Sequence, residues 1–254
     1  MDEALLSRIE DASLNASAAP QQWWMDGWIV RASPGKAKRS RCINAVAVGR
    51  QPLDDKLRRV EALYREAGLP VFMRLTRFSQ PSGLDAALAA RGWAAFDDTR
   101  VLVCTALPAQ GRVLPPPGCH WAELDAAAYA EAVGHLRGSP PEQRRAQAER
   151  LRLCPVPYRG WALQRDSDGA VLACGQYARE GDLVGLYDVY TRESERGQGR
   201  ATLLCQYLLT FAAREGAQVA YLQVEADNAP AWAVYHRLGF VEGYAYHYRQ
   251  APPR

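Results

Sequence analysis

The chain has 254 residues, of which 48% are hydrophobic, and its formal net charge is +3. This length and composition predict a globular protein with one large or two ordinary domains. The charge is too small to indicate nucleic-acid binding by itself, so we regard nucleic acid as an unfavoured partner. No signal peptide or run of about 18 apolar residues is apparent, so we expect a cytoplasmic protein that does not associate with membranes.

The first third of the chain contains an amphipathic helical pattern and a basic segment. Leu5, Leu6, Ile9 and Leu14 recur at helical spacing. The basic segment, which runs from Arg31 to Arg41, contains no acid. It carries Arg31, Lys36, Lys38, Arg39 and Arg41, and Ser33, Pro34 and Gly35 mark it as a loop. We expect a solvated loop, with contact to phosphate on RNA or on a cofactor as the alternative.

Further along the chain, helical and strand patterns alternate on both sides of a proline run. The run Pro115-Pro116-Pro117 cannot continue a helix or a central strand, so we place a boundary there, between domains 1–114 and 119–254. Before it we predict a helix over 53–68, a strand over 71–76 and a helix over 84–91. After it we predict helices over 122–136 and 141–151 and strands over 159–164 and 170–178, the strands joined by a hairpin turn at 166–169.

Glycines follow the next strand and precede an amphipathic helix. The strand Leu183–Thr191 is followed by Arg196, Gly197, Gln198, Gly199, Arg200 and Ala201, and Leu204, Leu208 and Phe211 then recur at helical spacing. The first N–H groups of a helix have no intrahelical partner and attract anions. Glycines also allow a phosphate to approach the backbone closely. The loop therefore predicts a phosphate site, to which Arg196 and Arg200 add charge if they do not simply face solvent.

The glycine pattern excludes two common phosphate motifs. A Walker loop needs a Gly-Lys-Ser/Thr ending, which is missing, and Thr202 stands where the dinucleotide fingerprint needs a small residue. The remaining pattern, Arg/Gln-x-x-Gly-x-Gly/Ala, resembles the coenzyme A pyrophosphate loop of the GNAT (GCN5-related N-acetyltransferase) superfamily. Downstream, the strand 218–225 leads to Asn228, Tyr235 and Leu238-Gly239-Phe240, which is similar to a second GNAT signature. A last strand is predicted over 240–249.

The resemblance implies an α/β (α+β) fold in which a mostly antiparallel mixed sheet is flanked by helices. It also implies acetyl-CoA as the cofactor, bound by the glycine loop and Asn228. The backbone groups of Val189, Tyr190 and Thr191, on a bulged or splayed strand, are expected to pair with the pantetheine arm and polarise the thioester. Tyr235 is expected to donate a proton to the leaving thiolate. Glu193 and Glu195 depart from the family pattern and bring negative charge near the pyrophosphate.

The acceptor amine must lose a proton, and carboxylates at strand ends are candidates for the base. Asp188 and Glu225 both occupy such positions, although either could instead be a solvated charge. His120, His135 and His247 have no spacing that suggests a metal or a triad, and the six cysteines form no zinc pattern. We therefore expect no metal and reduced thiols at Cys42, Cys104, Cys119, Cys154, Cys174 and Cys205.

The first half contains a weaker copy of the same layout. Arg91-Gly92-Trp93 corresponds to Leu238-Gly239-Phe240, whereas Gly49-Arg50-Gln51-Pro52 lacks the second glycine of the loop, and Pro81 and Leu88 stand opposite Asn228 and Tyr235. The chain is thus similar to tandem GNAT proteins with a degenerate N-terminal copy and an intact C-terminal one. Trp23, Trp24 and Trp28 are expected either to line the acceptor pocket or to form an aromatic cluster in the first core.

The predicted activity is transfer of an acetyl group from acetyl-CoA to an amine by direct attack in a ternary complex. The acceptor is a small amine-bearing molecule or a protein amine, and transfer of a longer acyl chain is a further alternative. A non-catalytic acyl-CoA sensor or partner-binding protein on the same fold is the principal rival, and an RNA-associated protein using the basic segment is the second.

Overall fold

The computed structural model describes residues 1–33, 37–108 and 111–253. They form an α/β fold with one mixed β-sheet flanked by helices. In the first half the elements are α1 (Glu3–Ala16), β1 (Gln22–Met25), β2 (Trp28–Arg31), β3 (Ile43–Ala45), α2 (Leu53–Glu66), β4 (Phe72–Thr76), α3 (Leu84–Ala89) and β5 (Ala94–Cys104). In the second half they are β6 (Cys119–Leu124), α4 (Ala126–Arg137), α5 (Pro141–Leu153), β7 (Tyr158–Arg165), β8 (Val171–Glu180), β9 (Leu183–Thr191), α6 (Arg200–Arg214), β10 (Val219–Glu225), α7 (Ala229–Arg237) and β11 (Val241–Gln250).

The sheet has eleven strands in the order β1-β2-β3-β4-β11-β5-β10-β9-β8-β7-β6. Most neighbours are antiparallel, but β3 pairs with β4, and β9 with β10, in parallel. Each parallel pair is joined by a helix, α2 in the first half and α6 in the second. The two halves therefore repeat one strand–helix–strand unit, in agreement with the weaker copy of the layout that the sequence indicates in the first half.

The two halves exchange their last strands. β5, which ends the first half, pairs with β10 of the second half, and β11, which ends the second half, pairs with β4 of the first. β5 and β11 also pair with each other from Val103 and Val241 to Ala94 and Gln250. The sheet is therefore continuous across the chain, and each half is completed by a strand from the other.

Helix α6 covers the part of the sheet that carries the glycine loop. Its buried face, which includes Leu204, Leu208 and Leu209, packs into the main hydrophobic core of the second half. A Cβ on Gly175 of β8 would lie 3.0 Å from Leu208 and 3.2 Å from Leu204, so this glycine permits close packing between helix and strand. This packing holds the start of α6 against the end of β9.

One sequence prediction in the second half needs correction. The helix predicted over 122–136 begins at Ala126, and residues 119–124 form the edge strand β6, which pairs with β7. Asp125 separates the two elements, because its carboxylate accepts a hydrogen bond of 2.8 Å from the Ala128 N–H and caps α4. The other predicted elements of this half lie within a few residues of their observed bounds.

The expectation of a solvated loop in the basic segment is wrong for Arg31. This side chain is 2% exposed, and it donates to the Leu14 carbonyl at 2.7 Å and to Gln22 Oε1 at 2.7 Å. Lys38 forms an ion pair with Asp97. Lys36, together with Pro34 and Gly35, lies outside the described residues.

The tryptophans of the first half differ in their burial. Trp28 is buried in the first-half core, and Lys56 Nζ lies 4.0 Å from its ring centroid, whereas Trp24 is 61% exposed on the edge strand β1. The alternative of a core residue is therefore correct for Trp28 and wrong for Trp24. In the part of the chain that the structure describes, no helix has the length and apolar character of a membrane span.

Candidate active site

Strand β9 is bulged where the predicted site begins. Tyr187 faces Gln176 of β8 and Tyr190 faces Cys174, so β9 places one extra residue between these pairs. Asp188 adopts a left-handed backbone with φ of 51°, which is uncommon for a residue with a side chain. The bulge turns the end of β9 away from its regular path.

Strands β9 and β10 separate at the same point. Their described parallel pairing runs from Leu183 and Val219 to Leu186 and Leu222 and no further. Beyond it, β9 continues along β8 and β10 continues along β5. Strand β9 is thus both bulged and separated from β10. The backbone of β9 beyond the bulge therefore faces an opening, where an extended ligand can form hydrogen bonds with it.

This opening leads into a cavity of about 450 Å³ between the two halves of the chain. Residues 186–189 of β9 and 223–225 of β10 form its floor, and Asn228, Ala231 and Tyr235 form one side. The remaining walls come from residues 37–40, from β5 and β11, and from α4, α5 and the turn between these two helices. The structure therefore brings together Val189, Asp188, Glu225, Asn228 and Tyr235, which sequence analysis singled out.

The Asp188 carboxylate is fully engaged. Its oxygens accept from Arg137 Nη1 at 3.0 Å, Gln147 Nε2 at 3.1 Å and Gln176 Nε2 at 2.9 Å. Burial alone would raise the pKa of Asp188, but the charges of Arg137 and Arg150 outweigh it and hold the pKa below its usual range. A carboxylate stabilised in this way is a weak proton acceptor. The arrangement favours a role in holding the bulge and the cavity wall.

Glu225 contrasts with Asp188, because it is exposed at the end of β10 and its carboxylate has no ion pair among the described residues. Its backbone carbonyl accepts from Trp232 Nε1 at 3.2 Å, which holds the strand end against α7. Asn228 caps α7 by accepting from the Ala231 N–H at 3.2 Å. Glu225 thus lines the cavity beside the start of α7.

The Tyr235 ring packs edge-on against Phe240, with the centroids 5.9 Å apart. Within residues 1–33, 37–108 and 111–253 its hydroxyl makes no hydrogen bond, although it lines the cavity. Burial raises the pKa of Tyr235, and the nearby Cys205 raises it further. Burial likewise raises the pKa of the Cys205 thiol to about 12. The Tyr235 hydroxyl is therefore protonated at neutral pH.

The glycine loop lies at the start of α6, as predicted, outside the lining of the cavity. Gly197 and Gly199 have φ of 75° and 76°, and a Cβ on either would meet open space. The first described bond of the helix runs from the Leu203 N–H to the Gly199 carbonyl, so the N–H groups of Arg200, Ala201 and Thr202 precede the intrahelical ladder. This geometry suits an anion.

The side chains around the loop hold one another in place. Arg196 donates to the Tyr190 hydroxyl at 3.1 Å, and Gln198 donates to the Ser194 carbonyl at 3.2 Å. Glu195 pairs with Arg200 at 3.4 Å and with Arg165 at 3.2 Å, so the charge of this acid is balanced. The Thr191 hydroxyl is buried and has no hydrogen-bond partner among the described residues.

In the first half, a carboxylate binds the backbone of the loop that precedes the equivalent helix, α2. Asp26 accepts from the Arg50 N–H at 2.9 Å and 3.0 Å and from the Gln51 N–H at 2.9 Å. These backbone bonds, led by that of Arg50, lower the pKa of Asp26. A Cβ on Gly49 would lie 2.2 Å from the Asp26 carboxylate. Asp26 therefore occupies the loop before α2, which corresponds to the glycine loop before α6.

Sequence analysis missed several residues that line the cavity. Arg137, which ends α4, and Gln147 and Arg150, which lie on α5, line the cavity. Gln176 on β8 is outside the lining and donates to the Asp188 carboxylate. Lys38 and Arg39, which also line the cavity, stand in the basic segment that the sequence marks. The others carry no motif, since their function depends on the fold bringing them to Asp188.

The comparisons with known proteins agree with this geometry. A family model described as "Probable histone acetyltransferase Rv0428c C-terminal" matches residues 4–249, which include both halves. The chain belongs to this acetyltransferase family. The uncharacterized N-acetyltransferase YobR of Bacillus subtilis is 25% identical over 224 residues, covering 87% of this chain and 89% of its own.

Solved GNAT structures share the fold of this acetyltransferase. A GCN5-related N-acetyltransferase from Kribbella flavida superposes with a TM-score of 0.68 at 19% identity, covering 98% of this chain and 96% of its own. A tandem GNAT protein from the clavulanic acid biosynthesis pathway has a TM-score of 0.64 at 17% identity, covering 84% and 75%. The chain thus has the fold of these GNAT structures, and the predicted fold class is confirmed.

Proposed function

We propose that this acetyltransferase moves the acetyl group of acetyl-CoA to an amine by direct attack within a ternary complex. The observation that carries the proposal is the opening between β9 and β10 beyond Leu186 and Leu222, which brings the bulge at Asp188 into the same cavity as Tyr235 and Glu225. One opening thus joins unpaired backbone, a hydroxyl donor and a free carboxylate.

The residues present fit coenzyme A at two places. The left-handed glycines Gly197 and Gly199 leave open space before the first turn of α6, where the N–H groups of Arg200 and Ala201 would hold the pyrophosphate. The backbone of Val189, Tyr190 and Thr191 would pair with the pantetheine arm along the opening, and Asn228 would border it. When bound, the cofactor supplies an activated acetyl thioester.

Side chains of the protein then accept and donate the protons that the transfer requires. Glu225 accepts the proton of the acceptor amine, directly or through water, because its carboxylate is free and exposed, whereas that of Asp188 is engaged. The Tyr235 hydroxyl donates a proton to the departing thiolate. Backbone N–H groups at the bulge would stabilise the charge that develops on the carbonyl oxygen.

The test is release of free thiol from acetyl-CoA with a panel of amines, on the native chain and on Tyr235→Phe. We expect kcat of the variant to fall about 10²- to 10⁴-fold while coenzyme A binding is retained. Tyr207→Phe is the control, because this tyrosine stacks on Trp121 of β6, with centroids 4.3 Å apart, and does not line the cavity. Equal rates for Tyr235→Phe and the native chain would contradict the proton-donor role. Tight coenzyme A binding without turnover of any amine would contradict the proposed acetyl transfer and favour a non-catalytic acyl-CoA sensor.

A further inference from the structure

The cavity wall carries more positive than negative charge around Asp188. Arg39 from the first half, Arg137 from α4 and Arg150 from α5 all line the cavity, and the charges of all three act on the Asp188 carboxylate. Lys38 and Asp97, which also line it, neutralise each other as an ion pair. One carboxylate is therefore surrounded by three guanidinium groups, which leaves this part of the wall cationic.

Two of these arginines have no carboxylate partner of their own. Arg137 is paired with Asp188 at 3.0 Å, but neither Arg39 nor Arg150 lies within ion-pair distance of a carboxylate in the described part of the chain. Arg150 is only 9% exposed, and its guanidinium lies 5.6 Å from the Tyr158 ring centroid. Buried cations are normally paired, because burial without a counter-charge is costly.

Arg39 is held so that its guanidinium faces the cavity from the first half. Its Nη1 donates to the Tyr246 hydroxyl at 3.5 Å, and the guanidinium lies 5.9 Å from the Tyr187 ring centroid. The Arg39 carbonyl in turn accepts from the buried Arg31 at 3.2 Å, which holds the backbone of this segment. A guanidinium placed in this way presents donors that match the geometry of a carboxylate or phosphoryl group.

From these charges we infer that the acceptor carries an anionic group, a carboxylate or a phosphoryl group, in addition to its amine. Arg39 and Arg150 bind the anionic group, and Glu225 on the floor of the same cavity receives the amine. The acceptor class is therefore a small zwitterion such as a free amino acid, and the degenerate first half contributes to its selection through Arg39. This inference rests on the proposed function, since it names the acceptor of that reaction.

The test compares matched amines that differ only in the anionic group. The pairs are L-methionine and 3-(methylthio)propylamine, L-phenylalanine and 2-phenylethylamine, and L-lysine and cadaverine. O-phosphoethanolamine against ethanolamine separates a phosphoryl acceptor from a carboxylate acceptor. We expect kcat/KM to be about 10- to 100-fold higher for the anionic member of at least one pair.

Arg39→Gln should bring that ratio close to one, mainly through a higher KM for the anionic member. Arg150→Gln should act in the same direction, and Arg39→Gln decides the question if Arg150→Gln does not fold. Arg145→Gln is the control, because Arg145 is exposed on α5 and does not line the cavity, so it should keep the native ratio. Inhibition by N-acetyl-L-methionine provides a second readout, and it should weaken by a similar factor in Arg39→Gln.

The outcomes separate this inference from the proposed function. If the members without the anionic group react as well as or better than the members with it, or if Arg39→Gln keeps the native ratio, the inference is wrong while the transfer of acetyl groups to amines stands. If coenzyme A binds but no member of any pair reacts, the inference about the anionic group and the proposed transfer to amines are both wrong.

Discussion

The Tyr244 hydroxyl on β11 donates a hydrogen bond of 2.6 Å to the carboxylate of Glu10 on α1. The same carboxylate forms a two-point ion pair with Arg74 of β4, one contact of which measures 3.0 Å. The Arg74 guanidinium also lies 4.0 Å from the Tyr246 ring centroid. This buried cluster fastens the exchanged strand of the second half to the first half.

Breaking the ion pair should strongly destabilise the protein. We expect Arg74→Met to lower the free energy of unfolding by about 3–5 kcal/mol, because it leaves the Glu10 carboxylate buried and without its cation. The measurement is urea unfolding followed by circular dichroism. Arg77→Met is the control, because Arg77 pairs with Glu3 at 2.8 Å on an exposed surface, where the change should stay below about 1 kcal/mol. Equal losses in the two variants would show that the buried pair has no special role.

The same cluster should make stability depend on acid pH. Burial would raise the pKa of Glu10, but the charge and hydrogen bonds of Arg74 and the hydrogen bond of Tyr244 lower it below 4.5. A carboxyl whose pKa is lower in the folded state stabilises fully above its unfolded pKa, and this contribution is lost as the pH falls through the folded pKa. The difference in unfolding free energy between the native chain and Glu10→Gln should therefore be largest near pH 7 and shrink below about pH 4.5. A difference that is constant with pH would contradict the ion pair.

The glycine loop can be tested by separating backbone strain from ligand binding. Gly199→Ala places a Cβ at φ of 76°, so it should cost about 1–2 kcal/mol of stability and weaken coenzyme A binding at least tenfold. Gly169→Ala is the matched control, because Gly169 has φ of 67° in the hairpin turn after β7 and also faces open space. It should lose similar stability and bind coenzyme A as tightly as the native chain does. Loss of binding in both would point to unfolding as the cause.

The two carboxylates of the site should respond differently to neutralisation. Glu225→Gln should lower kcat about 10²-fold or more at neutral pH, because the amine loses its proton acceptor. Asp188→Asn should mainly raise KM and lower stability, because it removes the partner of Arg137 at the bulge. Separate measurements of kcat and KM for both variants distinguish the two outcomes. If Asp188→Asn mainly lowers kcat and Glu225→Gln mainly raises KM, the roles are reversed.

Opening the helix start of the first half should not create a second cofactor site. Asp26→Ala removes the acceptor of the Arg50 and Gln51 N–H groups, so we expect a lower urea midpoint. Calorimetry should still give one coenzyme A per chain, since Pro52 precedes α2 where Gly199 precedes α6. A second binding event would contradict this expectation and would mean that the first half keeps a latent site.

The local parts of the fold were predictable from the sequence, and the long-range parts were not. Hydrophobic spacing and glycines located α6, β10 and α7, because those signals lie within a few neighbouring residues. The short strands β1, β2 and β3 offer too few residues for a clear alternation. No local pattern could have predicted that β11 pairs with β4, since that choice depends on contacts across the whole chain.

The candidate site likewise has a part that the sequence predicts and a part that it does not. Tyr235, Asn228 and the glycine loop belong to contiguous motifs, so the sequence alone is enough to propose roles for them. The hydrogen bonding of the Asp188 carboxylate could not be predicted from the sequence, because its donors Arg137, Gln147 and Gln176 lie on three different elements. These donors meet only in the folded chain. Sequence proximity to the bulge made Asp188 a candidate base, and its hydrogen bonds argue for a different role.

The exchange of β5 and β11 has a consequence for how the protein is made. When the ribosome has completed the first 114 residues, the nascent first half still lacks β11, the strand that will lie between β4 and β5, because β11 follows all the other strands of the sheet in the chain. The edges of β4 and β5 that pair with β11 stay open until β11 has been synthesised, and contacts of such long sequence separation form slowly. Maturation of both halves should therefore be a single event that follows the synthesis of β11.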